Sequence, residues 1–578
     1  MDWSLISILL VFVPFAACLV VVLLCRSRPK LGYYLTLVAL VGNLVVGGVV
    51  ALHVFEVGPV GVFLESDSVS LGLNVDELGV VLALISSFLC LVATLVSRSF
   101  GALEDRPMRY VGSILLLSGG LNGIFLAADM LLLLVFWEVM IISSFLLIVH
   151  KAHPEGVSAG RLYFVMAQMG AVLLLSSAGM LYLGTGALEI HTAASFDSDL
   201  NRLAFLALGL IGFAIDSAVV PLHVWLPGAH AESPTPMSAL LSGVVVKTGI
   251  YGMIRCLFFL EEVPSVWSDF IVSLGLITAF VGVFLALFQM DGKRLIAFST
   301  ISQIGLIVAG IGTGLALGAV GALYHVINHS IFKSLLFLSA GWVMWSAGTR
   351  DLRTIGRSKF SSPVLLTAFY IIGVLSISGV PPFNGFYSKS VIAKAVEIEY
   401  PLLAGLLSLV DMFTILTFVK LGWYLFRSRG GDEKIRNPLP LLLACGSMAV
   451  LCILLGAASS TVVGGVGGIL KFDPVETPKI LSFSVTSLIG YGGFIGAFLI
   501  WWRRAQVHRL LIEGRLRVIG RVAQRGLYFD DVVGLISRGF NRSADLVSLS
   551  ASGLHRDYGL YIALVWMVSM ILVVGGAL

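Results

Sequence analysis

Apolar residues recur along the chain in runs of about 20, the length an α-helix needs to cross a hydrocarbon layer about 30 Å thick. Short polar stretches bearing Pro, Gly or charge separate the runs. The pattern predicts sixteen spans, at 3–25, 31–55, 75–97, 111–128, 130–150, 162–184, 203–226, 236–258, 267–289, 295–313, 316–346, 363–393, 401–426, 439–458, 480–502 and 558–578. Strands of a membrane barrel would alternate apolar and polar residues at every second position, and no strand reading survives that test. The predicted class is an all-α polytopic membrane protein.

Composition agrees, since 58% of the 578 residues are hydrophobic and 12% charged, whereas about a quarter of an ordinary soluble chain is charged. The basic residues then orient the spans, because Lys and Arg concentrate in inner loops. With the N-terminus outside, 28 of the 37 lysines and arginines fall in inner loops and five in outer ones. An even number of spans puts the C-terminus outside too. The first apolar run is followed by "RSRPK" and at once by a second span, which predicts a retained helix and not a cleaved leader. The basic balance therefore reports membrane orientation and predicts no nucleic-acid partner. Six cysteines (Cys18, Cys25, Cys90, Cys256, Cys445 and Cys452) lie in or beside spans without a CxxC pair, the usage of small apolar filler. No Gly-rich phosphate loop opens a helix after a strand. No cofactor, metal or redox centre is expected in this chain.

The remaining four basic residues, Lys247, Lys333, Lys389 and Lys420, fall inside spans, where an ionisable side chain is costly and marks a functional site. Glu138, in "LLLVFWEVMIISS", and Asp216, in "FAIDSAVVPLHVWLP", are acids in equally apolar surroundings. Glu138 is too deep to snorkel, so it either keeps its proton or pairs with a cation. Lys247 must likewise shed its proton or find a partner acid. In "YHVINHSIFKSLLF", His325, His329 and Lys333 are spaced i, i+4, i+8, stacking them on one helical face at intervals of about 6 Å. Three titratable groups on one stripe form a plausible proton path; the bland reading is a polar stripe that pins neighbouring helices.

Two spans look broken. The seventh runs into "PGAHAESPTPM", with Pro227, Pro234 and Pro236, and the twelfth contains "GVPPFNGFYSK", with Pro381 and Pro382. Unpaired backbone at membrane depth is tolerated only where protein or a wet cavity satisfies it. Paired interruptions in two halves of a chain point to a transport site between inverted repeats. "VKTGIYGMIR" and "VKLGWYLFR" also resemble each other, which puts Lys247 and Lys420 at matching depths of two five-span units. The expected organisation is a three-helix segment (1–110), a first repeat (111–258), a second repeat (267–426), two further core helices (427–502), an amphipathic inner-surface segment (503–557) and a last span (558–578).

The motifs "LPGAHAESPTPMSALLSG", "VVKTGIYG", "DGKRLIAFSTISQIG", "ALYHVINHSIFKSLLFLSAG" and "SISGVPPFNGFYSK" resemble the antiporter-like, proton-translocating membrane subunits shared by respiratory complex I, energy-converting membrane-bound hydrogenases and Mrp-type cation/proton antiporters. The likeness covers roughly residues 70 to 426 and is strongest to the hydrogenase and Mrp branch. It implies fourteen core helices in two inverted five-helix repeats, each with one broken helix. Residue by residue it implies Glu138 as the acid of an inlet half-channel and Lys247 as a central relay group. His325, His329 and Lys333 would be the connecting chain, and Lys389 the group on the exit side. The departure is Asp216, where relatives typically carry a lysine that pairs with the acid matching Glu138. Asp216 therefore has three readings: a carboxyl relay in which two acids share a proton, a Na⁺ or K⁺ site, or a half-channel disabled for pumping.

Residues 503–557 read as an amphipathic, arginine-rich helix at the inner surface, and "YFDDVV" with "DYGLYIALV" resembles a tail whose lateral helix braces neighbouring subunits. The expected function is proton translocation by a non-redox subunit of a larger complex, in the cell membrane, driven by a redox module among its partner subunits. A subunit of a cation/proton antiporter and a structural membrane anchor are the alternatives.

Overall fold

Among the described residues the chain forms nineteen helices, most of them where the apolar runs stand, and their ends follow local chemistry. The computed structural model describes residues 3–470 apart from 66–69, 190–195, 197, 259–264, 359, 362, 427–432 and 436. In chain order the elements are α1 (Trp3–Leu24), α2 (Pro29–Val57), strands β1 (Val60–Glu65) and β2 (Ser70–Val75), α3 (Glu77–Ser97), α4 (Pro107–Leu126), α5 (Met130–Ile148), α6 (Pro154–Thr185), α7 (Asp199–Asp216), α8 (Trp225–Glu232), α9 (Thr235–Leu240), a π-helical turn (Leu241–Val245) and α10 (Val246–Phe258). There follow α11 (Ser265–Phe288), α12 (Gly292–Gly312), α13 (Ala316–Ser346), α14 (Leu352–Ile355), α15 (Val364–Ile377), α16 (Asn384–Glu399), α17 (Pro401–Phe426), α18 (Leu439–Ala457) and α19 (Ser459–Ile469).

Side-chain caps satisfy the orphan N–H groups at several starts. Asp76 accepts from Gly79 N at 2.8 Å, Asp129 from Leu132 N at 2.7 Å, and Asp291 from Lys293 N and Arg294 N. Prolines begin α2, α4 and α6, where a missing N–H costs nothing. Twelve helices among the described residues are long and apolar enough to cross a membrane, counting α9 to α10 as one.

Three features depart from the sequence expectation. β1 and β2 form an antiparallel hairpin between α2 and α3, so a strand reading does survive there; it lies in a connection too short and polar to span. The seventh span breaks at residues 217–224, right after Asp216, and not at Pro227, Pro234 and Pro236. Pro227 lies within α8, and Pro234 and Pro236 start α9. The break is centred on the cis peptide Val220–Pro221, with Ala218 in the left-handed region at φ 55°. Asp216 therefore ends a half-helix and does not sit in mid-helix. An additional helix, α19, follows α18. The predicted spans 480–502 and 558–578 and the segment 503–557 lie outside the described residues.

The core centres on α13, which packs against α3, α9, α12, α15, α16, α17, α18 and α19. Its 31 residues include 26 that are buried, which is why a helix carrying two histidines and a lysine can present them only to protein. Two ends of the bundle are distinguishable. At one, called the basic end below, Arg350 reaches Glu232 and Asp291, joining three connections. At the opposite end, Arg255 pairs with Asp76, and Asp129 both caps α5 and accepts from Gly72 N in the hairpin at 2.9 Å.

α11 and α12 touch backbone to backbone along a row of small residues, the packing mode available where lipid supplies no hydrophobic drive between helices. A Cβ on Gly305 would stand 2.2 Å from Ala279 N, and one on Gly275 would stand 2.4 Å from Ala309 N. Backbone cannot yield as a side-chain tip can. Gly305→Leu should therefore destabilise the bundle by about 1–3 kcal/mol or more, read as a lowered unfolding temperature in detergent. Gly179→Ala, where a Cβ meets nothing within 4 Å, serves as the control; equal unfolding temperatures for the two variants would show that the row is not a tight contact.

Candidate functional site

Lys247 stands at the second position of α10, directly after the π-helical turn. Such a turn inserts a residue and dislocates the backbone bonding pattern. Lys247 Nζ donates to the Ser242 carbonyl in that turn and lies 2.6 Å from His329 Nδ1 on α13. Lys247 is 1% exposed, and the partners it finds are an imidazole and a carbonyl. The ring centroids of His329 and His325 are 6.0 Å apart, as the i, i+4 spacing requires. His325 bonds outward through both nitrogens: Nδ1 lies 2.9 Å from Ser388 Oγ on α16, and Nε2 lies 3.2 Å from Gln303 Oε1 on α12. Lys333 continues the stripe but turns to α12, donating to Ser299 Oγ at 2.5 Å and Ile296 O at 3.1 Å.

Ser388 leads to Lys389, its chain neighbour. α15 ends at Ile377 and α16 begins at Asn384, with Gly379 at φ 69° and a cis Pro381–Pro382 bond between them. The break is anchored to α13 by Asn328, which donates to the Asn384 carbonyl at 3.0 Å while Asn384 Nδ2 donates to Asn328 Oδ1 at 3.0 Å. Lys389 Nζ lies 2.7 Å from Asp411 Oδ1 on α17. Lys247, His329, His325, Ser388, Lys389 and Asp411 thus form a line of polar groups from the first broken-helix region to the second.

Asp216 is 2% exposed. Thr248 Oγ1, beside Lys247 in the chain, lies 2.7 Å from Asp216 Oδ2 and 2.7 Å from the Val245 carbonyl oxygen. The break that follows is held by Val220 N donating to Thr278 Oγ1 at 3.2 Å and by Trp225 Nε1 donating back to Ile215 O at 2.9 Å. Glu138 on α5 accepts from Gln168 Nε2 on α6 at 2.8 Å.

One expected site residue falls elsewhere. Lys420 stands apart from this line; its Nζ donates to Leu287 O at 2.6 Å and Gln289 O at 2.8 Å, at the end of α11. The short match between "VKTGIYGMIR" and "VKLGWYLFR" equated positions that stand at different distances from their helix starts. Conversely, Asp411 joins the site, as do Gln168, Gln303, Thr248 and Ser388, which carry no sequence signal of their own. For Asp411 one was available, since a lone acid within the run 401–426 meets the same test applied to Glu138. All six cysteines are buried and free, and among the described residues no group of three His, Cys, Asp or Glu could hold a metal ion.

Residues 127–414 match the profile of the NADH:quinone oxidoreductase/Mrp antiporter transmembrane family. The chain is 31% identical to hydrogenase-4 component B of Escherichia coli (strain K12) over 429 residues, 68% of this chain and 63% of that protein. It thus spans somewhat under two thirds of that relative's length. Identity is 28% over 445 residues with a subunit of the Na(+)/H(+) antiporter of Alkalihalophilus pseudofirmus, 73% of this chain and 88% of that protein. Among solved structures, a chain of the Mrp complex from Dietzia sp. DQ12-45-1b superposes with a TM-score of 0.75 at 22% identity, covering 82% of this chain and 98% of the other; the likeness concerns fold.

The Lys389–Asp411 pair makes a prediction about stability. Removing one member leaves a buried ammonium or a membrane-depth carboxylate unmatched, a loss of about 3–5 kcal/mol when a buried pair is broken on one side. Asp411→Ala should lower the unfolding temperature, and the double variant Lys389→Met with Asp411→Ala should recover most of the loss. A double variant no more stable than Asp411→Ala alone would show that the pair is not coupled.

Proposed function

The chain belongs to the antiporter-like membrane subunit family that complex I, membrane-bound hydrogenases and Mrp antiporters share, and from that premise we propose that it translocates protons as a non-redox subunit of a larger energy-converting membrane complex. The observation that carries this reading is the buried line from Lys247 through His329, His325 and Ser388 to the Lys389–Asp411 pair. Proton transfer needs donors and acceptors about 2.6–3.2 Å apart or one water between them, and the bonded steps of this line meet that range. Two helices broken beside its ends supply backbone groups that can order such water. Lys333 is a side branch toward α12, available to hold the charge that the histidines release.

Asp216 fits a carboxyl relay. The Thr248 hydroxyl has one proton, and the Val245 carbonyl can only accept. Both short contacts of Thr248 become hydrogen bonds together when Asp216 is the second donor, and therefore carries a proton. Asp216 then exchanges that proton toward Glu138 on one side and toward Lys247 on the other. In this reading Glu138 and Asp216 belong to the inlet half, Lys389 to the exit half, the two groups of five helices are inverted repeats, and the basic end and both chain termini lie inside and outside the cell membrane respectively. Lys420 is a structural cap. Partner membrane subunits and a redox module would supply the driving energy. A second reading, a subunit of a cation/proton antiporter, is favoured by the similarity to the Na(+)/H(+) antiporter subunit over most of that protein. The subunits that copurify distinguish the two.

Lys247→Ala should slow proton movement by about 100-fold or more while the complex still assembles, the loss expected of a positioned transfer group. Proton uptake in sealed vesicles checks it, and an assembled variant that pumps normally would remove Lys247 from the path. Asp216→Asn should also slow transfer, because an amide releases no proton, whereas Asp216→Lys should retain it. If Asp216 instead helps to hold Na⁺ or K⁺, Asp216→Asn will weaken the dependence on that ion's concentration. Identical uptake for wild type and both variants across pH, Na⁺ and K⁺ would show a half-channel that is not used.

A further inference from the structure

α10 carries a polar stripe of its own, and it runs away from the line that begins at Lys247. Lys247, Tyr251 and Arg255 are spaced i, i+4, i+8, one face of the helix advancing about 6 Å per step. The stripe ends at Arg255, which pairs with Asp76 at the opposite end of the bundle. A path for protons along that face would join Lys247 to the surface there and let them bypass the α13 line. Tyr251 and Arg255 are bonded in a way that blocks such a path.

Tyr251 is 1% exposed. Its hydroxyl donates to the Phe125 carbonyl of α4 at 2.8 Å, and a carbonyl accepts a hydrogen bond without having a proton to hand on. The guanidinium carbon of Arg255 lies 4.9 Å from the centroid of the Tyr251 ring. Both terminal nitrogens of Arg255 bond Asp76, Nη1 at 2.6 Å from Oδ2 and Nη2 at 2.7 Å from Oδ1; this two-pronged contact fixes the group's orientation. Asp76 is held in turn by Gly79 N, which donates to Oδ1 at 2.8 Å. A guanidinium is always charged in a protein and has five donors but no acceptor. Proton hopping needs a group that accepts on one side and donates on the other, so Arg255 cannot be a step in it, and its fixed charge opposes entry of a further cation. Packing closes the space beside the stripe. A Cβ on Gly249 would run into Ser217 Oγ and the Phe213 carbonyl, and one on Gly252 into the Phe213 ring, so between Lys247 and Arg255 the backbone of α10 lies directly on the end of α7.

We propose that Arg255 is a seal against proton leak: it closes Lys247 to the opposite end of the bundle, so that charge leaving Lys247 has the α13 line to follow and no shortcut along α10. Asp76 is the positioning residue that holds the guanidinium over Tyr251. Loss of either partner would weaken a mere tie between α10 and α3, whereas the seal depends on the guanidinium itself. The inference rests on the proton-translocating reading above.

The test uses the intact complex in sealed vesicles with a trapped pH-sensitive dye. Driven by its own reaction or by an imposed ion gradient, the wild type must first move protons; if it moves none, the proton-translocating reading itself fails. The energy source is then withheld, a pH step is imposed, and K⁺ with valinomycin holds the membrane voltage at zero. Arg255→Ala combined with Asp76→Asn removes the guanidinium, leaves room for water and strands no charge. It should raise passive proton flow about ten-fold or more, the scale on which a fixed charge changes ion entry into a cleft. Asp76→Asn alone loses the ion pair but keeps the guanidinium, and should stay as tight as the wild type. A double variant as tight as the wild type would overturn the seal, and so would an Asp76→Asn that leaks as much as the double variant, since the tie and not the cation would then matter. Should the double variant fail to assemble, Thr248→Cys, about two turns inward of Arg255, decides by labelling. A small charged thiol reagent that does not cross the membrane should leave this cysteine unmodified from the opposite end; modification from that side, above the level of the wild type with its six buried cysteines, would overturn the seal.

Discussion

A charge or titratable group within the hydrocarbon layer needs a polar partner, because lipid offers none and the cost of leaving it unmatched runs to several kcal/mol. The architecture of this bundle follows from meeting that need repeatedly. Lys247 is met by His329 and a carbonyl of the π-helical turn, Lys333 by Ser299 and the Ile296 carbonyl, Lys389 by Asp411, and Lys420 by two carbonyls at the end of α11. Three of these four solutions use backbone carbonyls. A regular helix would have kept many of them for itself, so irregular backbone and buried lysines depend on each other.

The two broken helices meet the constraint in opposite ways. After α7 the chain places an acid at the break, and Asp216 is tied to the neighbour of Lys247 through Thr248. In the second, the break is clamped to α13 by a reciprocal asparagine pair, and the ionisable group that follows is the cation Lys389. α13 runs between them and carries the histidines, buried along nearly its whole length. One central helix therefore packs beside both interruptions.

Ion pairs stand at both ends of the bundle. Arg255 and Asp76 join α10 to the start of α3 through two contacts, at 2.6 and 2.7 Å, next to the hairpin that Asp129 fastens at the same end. At the basic end Arg350 ties together the connections bearing Glu232 and Asp291. The two closures differ in exposure: the basic end includes His153 and Glu232 as a partly exposed pair, whereas Arg255 and Asp76 are nearly buried, at 12% and 16% side-chain exposure.

Hydrophobic runs long enough to cross a bilayer are a local property, and the long helices of the described chain lie where those runs lie. The stripe of His325, His329 and Lys333 is local too, since a helix repeats every 3.6 residues wherever it packs. Glu138, Asp216, Lys247 and Lys389 are each conspicuous as an ionisable residue in an apolar run. What each of them touches is not local. Lys247 and His329 are 82 residues apart, Lys389 and Asp411 are on successive helices, and Gln168 reaches Glu138 across α5 and α6; such pairs depend on how helices are rotated against each other, which no periodicity within one helix contains. The same reason explains the two misplacements. A shared "Val-Lys-x-Gly-x-Tyr" could not tell a mid-bundle lysine from a cap on α11, and the prolines of "PGAHAESPTPM" could not show that the helix had already ended at Asp216, because both depend on which neighbouring helix satisfies the freed backbone. The sequence by itself determined the membrane class, the helices and most of the ionisable groups; only tertiary packing decided which of those groups are in contact.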